Sequence, residues 1–263
     1  MIERIRTIVD KEWAEVFKNR VVLLTVGLMP LLLTILPLVI LATMKSSGSA
    51  SAENTNMPGS FAQVCGAMAP GDCLELFIMN EFLIMFMLMP LAIPVAIAAY
   101  SIVGEKTTHS LEPLLATPIS TEELLAGKAL AAAIPAILAT WGAFAIFVIG
   151  TLVIGVAPAA RASLLAPTWL IAIGVIGPLI AILAVNVAVM VSSRVNDPRA
   201  AEQISMVLIV PVLMIFFGQV AGLIVINAQL MALVAAVLVV IDVVFVYLGA
   251  RLFQREAILT RWK

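Results

Sequence analysis

The chain has 263 residues, of which 63% are hydrophobic and only 12% charged, and its mean hydropathy is +1.14. A soluble domain is about half apolar and about a quarter charged, so this composition excludes one and asks for a bilayer to cover the apolar surface. The net charge of −1 says nothing about partners, and no basic, aromatic-rich cluster suggests nucleic acid, so none is expected.

In chain order, residues 1–20 read as an amphipathic helix. Ile5, Ile8, Val9, Trp13, Val16 and Phe17 recur at helical spacing on one face, and Arg4, Arg6, Asp10, Lys11, Glu15 and Lys18 take the other. Such a helix is expected to lie in the membrane interface. Six apolar runs follow, each long enough for the roughly 20 residues that a spanning helix needs: 21–44, 76–100, 129–156, 168–191, 204–226 and 229–250. Only Asn227 and Ala228 divide the last two, which predicts a tight hairpin there. Of the 15 lysines and arginines, only Lys45 and Arg161 fall on the side opposite the termini. The positive-inside rule then puts both termini in the cytoplasm, in agreement with an even number of spans. The expected fold is an all-α integral membrane protein: an interfacial helix over 1–20, then a six-helix unit over 21–263.

Five of the six runs contain proline, which neighbouring groups make tolerable by re-satisfying the freed carbonyls. Gly218 and Gly222, four apart, predict a close helix contact. Cys65 and Cys73 share the first extracytoplasmic loop, where they are either bonded to each other or two free thiols. Glu75 and Glu81 flank the outer end of the second run and are expected to face water or a vestibule. Asp242 is the one ionisable residue well inside an apolar run. It reads either as a functional carboxylate or as a polar helix contact with Asn186 or Gln219 as partner. Arg194–Glu202 predicts a turn at Asn196-Asp197-Pro198 followed by a helix start.

The stretch from Ser101 to Lys128 differs from the other connections. It carries Glu105, Glu112, Glu122, Glu123, Lys106, Lys128 and the only histidine, His109, with Leu111, Leu114 and Leu115 at helical spacing among them. This pattern predicts a short amphipathic helix in the cytoplasm. An isolated helix so short is marginal in water, so its leucines call for a partner surface. Thr117-Pro118 ends that helix, and Ser120 with Glu123 fits a capping box that starts the next one. The phosphate-binding pattern GxxxxGK[ST] is missing, since Gly127-Lys128 is followed by alanine. The chain is therefore expected to bind no ATP itself and to be no enzyme. One histidine and two cysteines on opposite sides of the membrane predict no metal site.

The segment GEKTTHSLEPLLATPISTEELLAGKAL, residues 104–130, resembles the signature of ABC-2-type exporter permeases, and most nearly that of the NatB-like group. Glu105, Lys106, Leu111, Glu112, Leu114, Leu115, Thr117, Pro118, Glu122 or Glu123, Gly127 and Lys128 carry the resemblance. It implies a permease subunit in the plasma or inner membrane of a bacterium or archaeon. Such a subunit dimerises with a second copy or a paralogue, and a separate ATPase that holds ATP and magnesium drives it. It also implies that the loop between spans two and three is a coupling helix seated in the ATPase, and that the cargo is an ion, a drug or a lipid-like molecule moved outward. Leu111, Leu114 and Leu115 would form the apolar knob, with Glu105, Lys106 and Glu112 around its rim. The alternative reading is a stand-alone ion-coupled carrier that uses Asp242.

Overall fold

The computed structural model describes residues 2–16, 18, 20–46, 65, 68–107, 120–224 and 226–252. Its elements are α1 (Ile2–Val16), α2 (Arg20–Ser46), α3 (Pro70–Phe86), α4 (Met89–Thr107), α5 (Thr121–Ile154), α6 (Pro158–Leu164), α7 (Pro167–Ile171), a π turn (Ala172–Ile176), α8 (Gly177–Arg194), α9 (Pro198–Ser205), a 3-10 turn (Met206–Leu208), α10 (Ile209–Val220) and α11 (Ala228–Leu252). No strand occurs among the described residues. Among the described residues, six helical stretches are long and apolar enough to cross a membrane: Val22–Ser46, Pro70–Ser101, Glu122–Ile154, Pro158–Arg194, Pro198–Val220 and Ala228–Gly249. The all-helical, six-span architecture expected from the apolar runs is therefore present.

The second span is the axis of the bundle. Of its apolar window 83% is buried, against 11% for each of the last two spans. Its second half, α4, packs along α8 and α5; α5 in turn packs on α2 and α1, and α11 lies along α8. At the centre, Phe86 and Phe147 are both fully buried and meet edge to face, with ring centroids 5.4 Å apart. Exposed leucines of α2, such as Leu28, Leu31 and Leu32, and exposed valines of α11, such as Val237, Val240 and Val243, leave an apolar outer surface that suits lipid.

Prolines set the breaks. α3 and α4 are separated at Met87 and Leu88, whose N–H groups turn to Ile84 and Met85 at 3.0 Å each. Pro90 has no N–H for the Phe86 carbonyl and crowds it, so the α-helical ladder cannot run through. The 3-10 turn at Met206–Leu208 stands just ahead of Pro211 for the same reason. The fourth span is in four pieces, and Pro158, Pro167 and Pro178 stand in the first turn of α6, α7 and α8. For Pro158 and Pro167, each of which follows a non-helical residue, that is the position where a missing N–H costs least.

Several expectations are corrected. Gly218 and Gly222 do not form a helix-contact pair. Gly222 has φ +73° and lies past the end of α10, where Leu223 N–H reaches the Gly218 carbonyl at 2.8 Å and Gly222 N–H reaches that of Gln219 at 2.8 Å. This is a Schellman stop. A Cβ on Gly218 would lie 2.7 Å from Ile224 Cδ1, so that glycine makes room for the chain to fold back on its own helix. The join between the last two spans is accordingly longer than a two-residue hairpin. Asn227 serves as the cap of α11, its side-chain oxygen accepting from Leu230 N–H at 2.8 Å. Glu75 and Glu81 do not face water; both are buried. Glu75 accepts from Ala157 N–H at 2.8 Å and lies 3.9 Å from the Lys45 ammonium, while Lys45 also donates to the Gly155 carbonyl. This polar knot ties α2, α3, α5 and α6 together at one end of the bundle. Beside it Cys65 and Cys73 form a disulfide, with Cα atoms 5.5 Å apart. The turn at Asn196–Pro198 is as expected, with Asp197 accepting from Arg199 N–H at 3.0 Å to open α9, but α9 also packs on α4 and buries Ala201.

Replacing Gly222 by alanine forces a side chain into the left-handed region, at a cost of about 1–2 kcal/mol. Thermal unfolding of the detergent-solubilised protein should show a lowered midpoint for Gly222→Ala. Gly142→Ala, which meets nothing within 4 Å inside α5, should be neutral or slightly stabilising.

Candidate functional site

The polar stretch between the second and third spans begins in the last turns of α4 and ends in the first turns of α5. Glu105 and Lys106 lie in α4. Leu111, Glu112, Leu114, Leu115, Thr117 and Pro118, with His109, fall outside the described residues. The described chain resumes at Ser120, and there the capping box is complete. Ser120 Oγ accepts from Glu123 N–H at 3.1 Å, and Glu123 Oε2 accepts from Ser120 N–H at 3.0 Å. α5 then runs for 34 residues, about 50 Å at 1.5 Å per residue. The apolar core of a bilayer is about 30 Å thick, so the helix extends well past it on the side of this stretch.

α1 is fastened to this extension. Ile8, Val9 and Glu12 are its buried residues, and they face α5. A Cβ on Gly127 would lie 2.7 Å from Ile8 Cγ2 and 2.8 Å from Ile8 Cβ, so only glycine lets the two helices approach this closely. The apolar stripe of α1, expected to meet lipid, is thus largely spent on protein. Trp13 Nε1 donates to the Ala131 carbonyl at 2.9 Å. That carbonyl is the one left without a helical partner by Pro135, four residues on.

Lys128 takes a place other than the coupling surface expected for it. It is 3% exposed, and its ammonium donates to Glu12 Oε1 at 2.9 Å and to Ser101 Oγ at 2.6 Å. Ser101 Oγ in turn donates to Glu12 Oε2 at 2.7 Å. The three side chains close a ring joining α1, the C-terminal part of α4 and the start of α5. Burial pushes the Glu12 carboxyl up. The Lys128 ammonium, its hydrogen bond, that of Ser101 and the charge of Lys11 outweigh burial, and they hold the group below the usual glutamate range. Lys128 is the donor to Ser101 and not its base, so the arrangement is a tie and not a nucleophile with its activator. A second, looser contact runs parallel to it: Arg4 Nη1 lies 3.5 Å from Glu123 Oε2.

Among the described residues no hydrogen bond joins the residues expected to form an intramembrane polar site. Gln219 is buried in α10, beside Glu81 of α3. Asn186 donates its amide to the Ile182 carbonyl of its own helix at 2.9 Å. Asp242 is buried in α11, and neither of its oxygens has a hydrogen-bond partner among the described residues. Among the described residues no cluster of three or more His, Cys, Asp or Glu could hold a metal ion.

Sequence reasoning missed Glu12 and Ser101, and it placed Glu81 in water where the fold buries it. The sign for Glu12 was its register, four residues after Ile8 and three after Val9. A carboxylate on the buried face of an amphipathic helix demands a cationic partner. Ser101 carried no such sign.

The family model described as "ABC-2 family transporter protein" matches residues 6–235. No curated protein matches the chain.

Lys128→Met leaves the buried Glu12 carboxylate with only Lys11, at 3.4 Å, and Ser101, and should cost up to about 3–5 kcal/mol, read as faster hydrogen exchange across residues 2–16. Glu12→Met combined with Lys128→Met should recover most of that protection, because the uncompensated charge is gone. The pH dependence has one sign. The Glu12 pKa is lowered on folding, so its contribution is complete above the ordinary glutamate range and falls away as the pH drops through the folded value. Exchange in α1 of the wild-type chain should therefore rise on acidification, and that rise should be absent in the double variant.

Proposed function

Because the chain belongs to the ABC-2 transporter family and is a membrane permease component, we propose that it moves its cargo outward under the drive of a separate ATPase docked on residues 101–128. On this reading the leucine-bearing loop 108–119 is the docking element, and the side of the bundle that carries it is cytoplasmic. The ATPase supplies ATP and magnesium; this chain supplies no nucleotide chemistry. A complete transporter contains two permease subunits, either two copies of this chain or this chain with a paralogue. It sits in the plasma or inner membrane of a bacterium or archaeon.

The observation that carries the reading is the Glu12–Lys128–Ser101 ring at the base of the loop. Ser101 precedes the loop and Lys128 follows it. With both flanks tied to α1, a push on the loop moves α1, the end of α4 and the start of α5 as one body. The capping box makes α5 rigid from Ser120 onward, and the helix continues without a non-helical break to Ile154. Closing of the ATPase dimer would then tilt the third span with little lost in bending, a rigid-body switch of the kind that packed helices allow.

Leu114→Asp places a charge at the centre of the proposed apolar knob. Co-expressed with its ATPase, the variant should insert in the membrane at normal yield yet lose at least about tenfold in co-purified ATPase, the size expected for a central interface residue. Recovery of ATPase at the wild-type level would remove the docking claim.

A further inference from the structure

Two buried polar side chains of the second and fifth spans have no role in the junction just described. Glu81 of α3 is 7% exposed and Gln219 of α10 is 5% exposed, and the Gln219 amide is the polar group beside the Glu81 carboxylate. No hydrogen bond of acceptable geometry closes between them. Among the described residues, both Glu81 oxygens and the Gln219 oxygen have no hydrogen-bond partner. Gln219 continues the stripe Ile209, Val212 and Phe216, at spacings of three and four, through which α10 meets the core. α10 packs chiefly along α3, so the two groups face each other across one seam at the edge of the bundle.

A carboxylate in such a place is costly unless something compensates it. Lys45, the cation at the same end of α3, is committed to Glu75 and to the Gly155 carbonyl. Glu75 lies six residues before Glu81, about 9 Å along the helix. The seam thus offers three unpartnered acceptors and one negative charge between apolar walls. Phe77 and Ile78 lie one turn before Glu81 on α3, and Ile215 and Phe216 one turn before Gln219 on α10; all four pack against the core. A bare divalent ion asks for six or more oxygens. A primary ammonium has three N–H donors and one positive charge, which match three acceptors and one carboxylate.

We propose that Glu81 and Gln219 form an intramembrane binding site for the head group of a primary alkylammonium, whose apolar tail lies between α3 and α10. As a cargo site it rests on the transport reading above. As a binding site it needs no ATPase, so it can fail while loop docking stands, and the reverse.

The test uses the full chain in lipid nanodiscs, with hexylammonium chloride as the probe in isothermal titration. The wild-type chain should bind saturably. Glu81→Gln should weaken binding at least about tenfold, and Gln219→Leu at least about threefold, as loss of a charged and of a neutral hydrogen bond implies. Asp242→Asn should bind as wild type. Thermal unfolding without probe separates this from a structural role: Glu81→Gln removes a buried charge and should be at least as stable as wild type. No saturable binding by the wild-type chain, or equal binding by Glu81→Gln, overturns the site. Displacement of hexylammonium by millimolar sodium, lost in Glu81→Gln, overturns the amine assignment in favour of an inorganic ion. If Glu81→Gln were too unstable to purify, the expectation for its stability would be wrong and the carboxylate would be structural.

Discussion

Glu12 and Lys128 are tolerable in the interior only as a pair. Either charge alone, taken out of water, costs several kcal/mol, and their attraction offsets this only where the geometry is close and the remaining polar atoms are bonded. Here both conditions hold, with contacts of 2.6 to 2.9 Å and Ser101 serving each partner. The requirement acts on the whole end of the bundle. α1 must register on α5 so that Glu12 reaches Lys128, Gly127 must lack a side chain so that the helices approach, and α4 must end close enough for Ser101 to complete the ring. The ring therefore fixes Ser101 at the end of α4 and Lys128 at the start of α5 to the same side chain of α1.

Backbone satisfaction is the second constraint, and proline makes it visible. Each intramembrane proline frees a carbonyl that lipid cannot serve. Two tryptophans answer it. Trp13 serves the Ala131 carbonyl opposite Pro135. Trp141 serves the Ile173 carbonyl at 3.1 Å, the group that Pro178 leaves unbonded in the five-residue spacing of the π turn. Both indoles come from a different element, so each repair is also a tertiary contact: α1 to α5, and α5 to the fourth span. A third indole, Trp169 of α7, donates to Asn80 of α3 at 3.1 Å. The kinks are therefore held in place by specific donors, and the broken fourth span is a fixed shape.

The two ends of the bundle are fastened differently. At the α1 end a buried ion pair and a close glycine contact hold three helices. At the other end Lys45, Glu75, the N–H of Ala157 and the Cys65–Cys73 bridge hold four. Between them, the seam of α3 and α10 keeps polar groups unpaired while its neighbours are closed. Asp242 of α11 is the other buried side chain without a hydrogen-bond partner among the described residues, so the unsatisfied polar atoms lie apart from both fastened ends.

Hydropathy and the 3.6-residue period were enough to establish the six spans, the amphipathic α1, the capping box at Ser120 and the helix start at Pro198, because each rests on neighbours within about one turn or on a continuous apolar run. The motif of residues 104–130 was legible as a resemblance to ABC-2-type permeases, and the matching family model is of that family. What the local pattern could not decide was pairing across the chain. The same glycine spacing serves a helix contact or a Schellman stop, and only the fold-back of Ile224 chose between them. Lys128 reads alike as a docking residue and as a buried tie until Glu12, 116 positions away, is brought to it. Glu75 and Glu81 look like a wetted rim until α6 and α10 cover them. Burial and charge compensation are properties of elements brought together, so they were settled by tertiary packing alone.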